Sequence, residues 1–171
     1  MEGNLITHKE PRLTVLKLVA TIVVVGTLAV PGIASADELF RAVLTGDQEV
    51  PNPVVTTTTG RAFVLVNQAE TAAEFHLHVS DGVGITQSHI HCAPAGVNGP
   101  VVVFLAGFHS AGLDIDGKWI SNATFTQDSI VNTTCGSTIA ELVQSMRDGN
   151  TYVNVHSVAN RGGEVRGQLG Q

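Results

Sequence analysis

A period of two narrows the fold more than any other feature of this chain. In Ala73-Glu-Phe-His-Leu-His-Val79, Phe75, Leu77 and Val79 take one set of alternate positions, and Glu74, His76 and His78 take the other. Successive side chains of an extended strand point to opposite faces, so this run is a strand with one face on a core. Similar runs recur at residues 39–44, 60–66, 84–91, 101–105, 119–125, 151–156 and 164–169, separated by clusters of Gly, Pro, Asn and Asp. In residues 60–66 both sets are apolar, Ala62, Val64 and Val66 against Phe63 and Leu65, which predicts a strand buried on both sides. Ser80-Asp-Gly82 reads as a strand end, and residues 107–117, which hold His109, read as a long loop or hairpin.

One segment has a different period. Thr138 followed three residues later by Glu141 has the form of a capping box. Ile139, Leu142, Val143 and Met146 then recur at i, i+3, i+4 and i+7, and Arg147 and Gly149 suit a helix C-terminus. About eight strands and one short helix over residues 138–148 argue an all-β fold, an antiparallel Greek-key-like sandwich or barrel.

The first 36 residues stand apart. Lys9, Arg12 and Lys17 precede an apolar run over residues 18–30, followed by Ala34-Ser-Ala36. These are the charged, apolar and small-residue regions of a signal peptide, and the run is shorter than the roughly 20 residues of a membrane span. Retention as an N-terminal anchor is the alternative. Cleavage after Ala36 leaves residues 37–171 as one exported domain, with no membrane attachment once the leader is removed. Residues 37–171 carry six basic and thirteen acidic side chains, a formal charge of −7 with histidines neutral. So acidic a body does not suit nucleic-acid phosphates or an anionic membrane surface.

Export gives the two cysteines meaning. In an oxidising compartment an even count reads as a disulfide, Cys92 to Cys135. The competing reading makes Cys92 a copper ligand beside His91. In an extended strand Cys92 points away from the face of His91, which favours the bridge.

Four motifs appear in order: Leu44-Thr-Gly-Asp-Gln-Glu-Val-Pro51, then Ser88-His-Ile-His91 with Asn98-Gly-Pro-Val-Val-Val103, then Tyr152-Val-Asn-Val-His156, then Gly163-Glu-Val-Arg-Gly167. On these the chain resembles the CHRD family, the domain repeated in chordin and found singly in exported microbial proteins. The resemblance spans nearly all of residues 37–171 and implies an all-β domain. Chordin binds growth factors, but that role does not carry over to a lone exported domain. His76, His78 and His109 lie outside the matched motifs.

Within the motifs, His89 and His91 share one face of an extended strand with their α-carbons about 6.6 Å apart, while Ile90 points to the core. Two such imidazoles and His156 from another strand make a three-nitrogen shell suited to copper or zinc. The arrangement is similar to copper-zinc superoxide dismutase, which also places copper on a His-x-His strand of a β-sandwich. That enzyme's zinc loop needs further histidines soon after the first pair, and residues 92–105 contain none. The bland reading has these rings hydrogen-bonding across the sheet or to carboxylates such as Glu164. His76 and His78 form a second same-face pair, read first as a solvated face and second as an extension of the metal site. Glu49, Glu164 and Arg166 read as structural groups: a carboxylate that receives an amide or orients His156, and an arginine paired with Glu49 or Glu164. No nucleophile elbow or phosphate-binding loop is present.

The expectation is therefore an exported metal-binding module rather than an enzyme, with a metal ion and an extracellular protein as its partners. A superoxide-dismutase-like copper redox enzyme and a metal-free adhesion domain are the alternatives.

Overall fold

The computed structural model describes Gly3 and residues 36–171, with residues 121 and 122 described by their backbone alone. Apart from Gly3 and Ala36, the expected leader lies outside the described residues. Among the described residues no helix is long and apolar enough to cross a membrane.

Among the described residues, seven strands form one continuous antiparallel sheet: β1 (Glu38–Leu44), β2 (Thr59–Val66), β3 (Ala72–Cys92), β4 (Val101–Gly107), β5 (Leu113–Thr126), β6 (Thr151–Ser157) and β7 (Val165–Gln168). One α-helix, α1 (Ile139–Arg147), lies between β5 and β6. The all-β antiparallel architecture is as expected. Residues 73–79 and 84–91, expected as separate strands, are two halves of a single strand of 21 residues. The first half of β3 pairs with β2 and β5, the second with β6 and β4. The chain thus builds two halves, ordered β5-β3-β2-β1 and β4-β3-β6-β7, which share β3. Bridges from Arg41 to Gly170 and from Thr45 to Arg166 join β1 to the end of the chain and leave a nearly closed barrel.

Ser80-Asp-Gly82, expected to end a strand, bends β3 instead. Asp81 and Gly84 adopt left-handed φ of 53° and 62°, and the register against β5 slips on both sides of Gly82. Such irregularities coil a strand without ending it, and the coil carries β3 from one half to the other. Two further expectations change for related reasons. β5 begins at Leu113, because its backbone finds a partner in the bent part of β3 (Gly82 opposite Ile115, Ile85 opposite Leu113), so only residues 108–112 remain as loop. In β2, Ala62, Val64 and Val66 are buried, whereas Phe63 is half-buried and Leu65 is 36% exposed. The barrel has one core, and it covers one face of each strand.

That core joins Phe40 and Leu44 of β1, Val64 and Val66 of β2, Phe75, Leu77, Val79, Ile85 and Ile90 of β3, and Val153 and Val155 of β6. Helix α1 adds the stripe read from its period, with Ile139, Leu142, Val143 and Met146 all buried. The expected capping box is formed: Thr138 Oγ1 accepts from Glu141 N at 3.2 Å, and Glu141 Oε2 accepts from Thr138 N at 3.1 Å. Arg147, in its last turn, pairs with Glu38 and Glu70. Cys92, the last residue of β3, is bonded to Cys135 with 5.6 Å between α-carbons. The disulfide reading holds, and the copper-thiolate reading falls, since a disulfide sulfur is no thiolate.

Candidate metal centre

The site forms on the face of the second half that points away from the core. Along β3, His89 and His91 emerge on that face while Ile90, fully buried, points inward. Strand β6 alternates in step, placing Asn154 opposite His89, Tyr152 opposite His91 and His156 opposite Gln87. On the other side of β3, Phe104 of β4 stands opposite His89. An outward sheet face of this kind usually meets water. Here His89, His91 and His156 are only 3%, 9% and 6% exposed. Residues 93–100 and 158–164 lie over them, and Glu49 lies over Asn154.

The three rings converge. Their centroids lie 5.5 Å (His89–His91), 4.8 Å (His89–His156) and 6.0 Å (His91–His156) apart. Each ring offers one nitrogen to a group whose members all fall within 4.8 Å of one another. Hydrogen bonds determine the tautomers. Nδ1 of His91 lies 2.9 Å from the Gly99 carbonyl, and Nδ1 of His156 lies 3.0 Å from the Arg161 carbonyl. A carbonyl only accepts, so both rings carry their proton on Nδ1 and present a lone pair at Nε2. His156 Nε2 is 3.0 Å from His89 Nδ1, which must then be the donor, leaving a lone pair at His89 Nε2 as well. Nε2 of His89 and Nε2 of His91 are buried with no hydrogen-bond partner, as is Oδ1 of Asn154.

Burial, reinforced by His156 and His91, pushes His89 down to about 3. Burial also takes His156 down to about 4 and lowers His91, in each case against the opposing pull of the bonded carbonyl. The triad is therefore neutral at pH 7, the state in which imidazole binds metal.

The surroundings hold these rings in place. The Tyr152 ring stacks on His91 at 4.8 Å and 12°, and Arg166 places its guanidinium carbon 3.5 Å from the centre of that same ring. Arg166, 2% exposed, pairs with neither Glu49 nor Glu164. It donates instead to Val97 O (2.8 Å), Pro94 O (3.4 Å) and Asn98 Oδ1 (3.2 Å), pinning the loop that carries the Gly99 carbonyl. Gly99 has to be glycine, because a Cβ there would sit 1.8 Å from the Cys92 carbonyl oxygen. Phe104, 59% exposed, packs edge-on against His89 at 4.8 Å and stands between the site and solvent.

Neither carboxylate orients an imidazole. Glu49 accepts from Asn154 Nδ2 at 3.1 and 3.2 Å, and burial raises it to about 7 despite that bond. Glu164 accepts from Thr56, from Ser157 Oγ at 2.7 Å and from Asn160 Nδ2 at 2.6 Å. Burial would raise its pKa, but these donors prevail and lower it. The orienting role belongs to two main-chain carbonyls, Gly99 and Arg161, which no side-chain motif announces. Phe104 was legible only through the register, which places it opposite His89.

The other described histidines stay outside the group. His76 is half-buried on the outer face of the first half, 3.0 Å from Glu74. His78, on the same face, is exposed, and His109 lies near Trp119 with ring centres 6.3 Å apart.

The family model of the CHRD domain matches residues 40–169, from β1 through the residue after β7. No curated protein and no solved structure matches the chain. The match takes in His89, His91, His156 and both cysteines, and with them the strands that carry the site. The chain belongs to the CHRD domain family.

Proposed function

We propose that this chain is an exported metal-binding module that holds a copper or zinc ion through His89, His91 and His156. One observation carries the reading: two imidazole Nε2 atoms are buried without a partner in a converging triad. Leaving a buried acceptor unpaired costs about 1–3 kcal/mol, and a cation is the group that the two free lone pairs would take up, with the His156 Nε2 lone pair joining them by giving up its bond from His89 Nδ1. Metal–nitrogen bonds of about 2.0–2.1 Å hold three nitrogens roughly 3.4 Å apart, so the rings close in by about 1 Å. Imidazole donors favour copper over zinc by intrinsic affinity. Export follows from the leader motif and agrees with the disulfide.

Calorimetric titration with Cu²⁺ and Zn²⁺ tests this on protein purified from an exporting host. One-to-one binding at micromolar affinity or tighter is expected, and it should vanish in a His89→Ala/His91→Ala variant. A His91→Gln variant, checked by far-UV circular dichroism, guards against misfolding of the double variant. Absence of binding to the folded native chain would sink the reading.

The metal-capable group stops at three among the described residues. A three-nitrogen shell leaves a coordination position open, which makes a copper redox enzyme the second reading. Superoxide consumption by the copper-loaded protein separates the two.

A further inference from the structure

Net charge conceals an arrangement on the first half of the barrel. Of the six basic residues in the domain, Arg166 is buried over Tyr152 and Arg147 is paired with Glu38 and Glu70. Two of the remaining cations, Arg61 of β2 and Lys118 of β5, flank His78 of β3 in one cross-strand row. The next row brings Arg41, Phe63 and His76 side by side. Arg41, Arg61, His78 and Lys118 are all exposed.

Basic side chains directly opposite one another do nothing to stabilise a sheet. No carboxylate lies within 4.0 Å of Arg41, Arg61, His78 or Lys118 among the described residues, although the domain carries a large acidic excess. Asp116, two residues before Lys118, is the nearest acidic group in sequence, and Glu74 is engaged with His76. Arg61 and His78 line a groove of about 560 Å³ together with Val43, Thr45, Thr59 and Phe63, and Lys118 stands opposite His78 outside that lining. Strand spacing of about 4.8 Å places the Arg61 and Lys118 backbones roughly 10 Å apart, with an imidazole between them.

We propose that this groove binds an acidic oligosaccharide, with Arg61 and Lys118 holding its anionic groups. Guanidinium matches a carboxylate or sulfate in two-point geometry. The threonine hydroxyls supply donors and acceptors for sugar hydroxyls, and Phe63 offers a flat apolar surface to a sugar face. The site lies on the outer face of the first half, apart from the histidine triad, and needs no metal.

The test is affinity of the full chain for an oligogalacturonate and a heparin-derived oligosaccharide, with a neutral maltooligosaccharide and poly-glutamate as comparators. Binding of an anionic sugar, weakening as salt is raised, is expected. A Lys118→Gln/Arg61→Gln variant, both positions being exposed, should lose at least tenfold in affinity while keeping its melting temperature and its metal titration. Preference for the uronate over the sulfated sugar, or the reverse, identifies the anion. Equal binding to the neutral sugar, tighter binding to poly-glutamate, or unchanged affinity in the variant would each overturn the proposal.

Discussion

Protonation ties the histidine triad to stability. An unfolded imidazole titrates near 6.5, while in the folded chain His89 and His156 titrate near 3 and 4. The folded protein therefore excludes protons that the unfolded chain accepts. The stability held by these rings is complete above pH of about 6.5 and drains as pH falls toward 4. Glu49 acts in the opposite sense. Its folded value is about 7 against 4.5 unfolded, so its contribution is complete below pH 4.5 and is lost as pH rises through 7. Glu49→Gln keeps an acceptor for the Asn154 amide and cannot titrate. Between pH 5 and 8 the metal-free variant should gain on the order of 3 kcal/mol relative to the native chain. Urea midpoints across that range measure it, and parallel profiles would mean that Glu49 ionises freely in its pocket.

Among the elements, β3 does most to build the site. Its first half lies between β2 and β5, its second half carries His89 and His91, and its last residue is bonded through Cys92 to Cys135. That bond ties the end of the strand to the turn before α1 and closes a loop with a sequence separation of 43 residues. Constraint of the unfolded chain by such a loop contributes about 4 kcal/mol. A Cys92→Ala/Cys135→Ala variant should lose about that much in guanidinium denaturation. Its metal affinity should fall by less than tenfold, because His91 is held by the Gly99 carbonyl and the Tyr152 ring rather than by the sulfur. A loss of affinity as large as that of the histidine variants would show that the bridge, not the loop, positions the ring.

For the whole molecule, a ligand that binds the folded state stabilises it. At a free metal concentration 100 times the dissociation constant the gain is about 2.7 kcal/mol, which raises the melting temperature by on the order of 10 °C. Scanning calorimetry with and without a chelator reads this directly. An unchanged melting temperature at saturating copper and zinc would count against a site in the folded chain.

Much of this architecture is local and was open to reading from residue order. Alternation at Phe75, Leu77 and Val79, the i, i+3, i+4, i+7 stripe of α1, and the shared face of His89 and His91 follow from the geometry of strand and helix alone. The cysteine pairing follows from their even number in a chain whose first residues read as an export signal. Other features arise only where distant segments meet. Whether Asp81 and Gly84 end a strand or bend it depends on β5 and β6 being there to pair both sides of the bend. Whether a polar sheet face is wet depends on the loops that Arg166 pins across it. The residue order by itself determined which imidazoles could share an ion. Tertiary structure decided that they are buried, neutral and aimed at one another, because backbone carbonyls more than 60 residues apart, at Gly99 and Arg161, fix the protons of His91 and His156 on Nδ1, which leaves Nε2 bare on His91 and, through the His89–His156 bond, on His89.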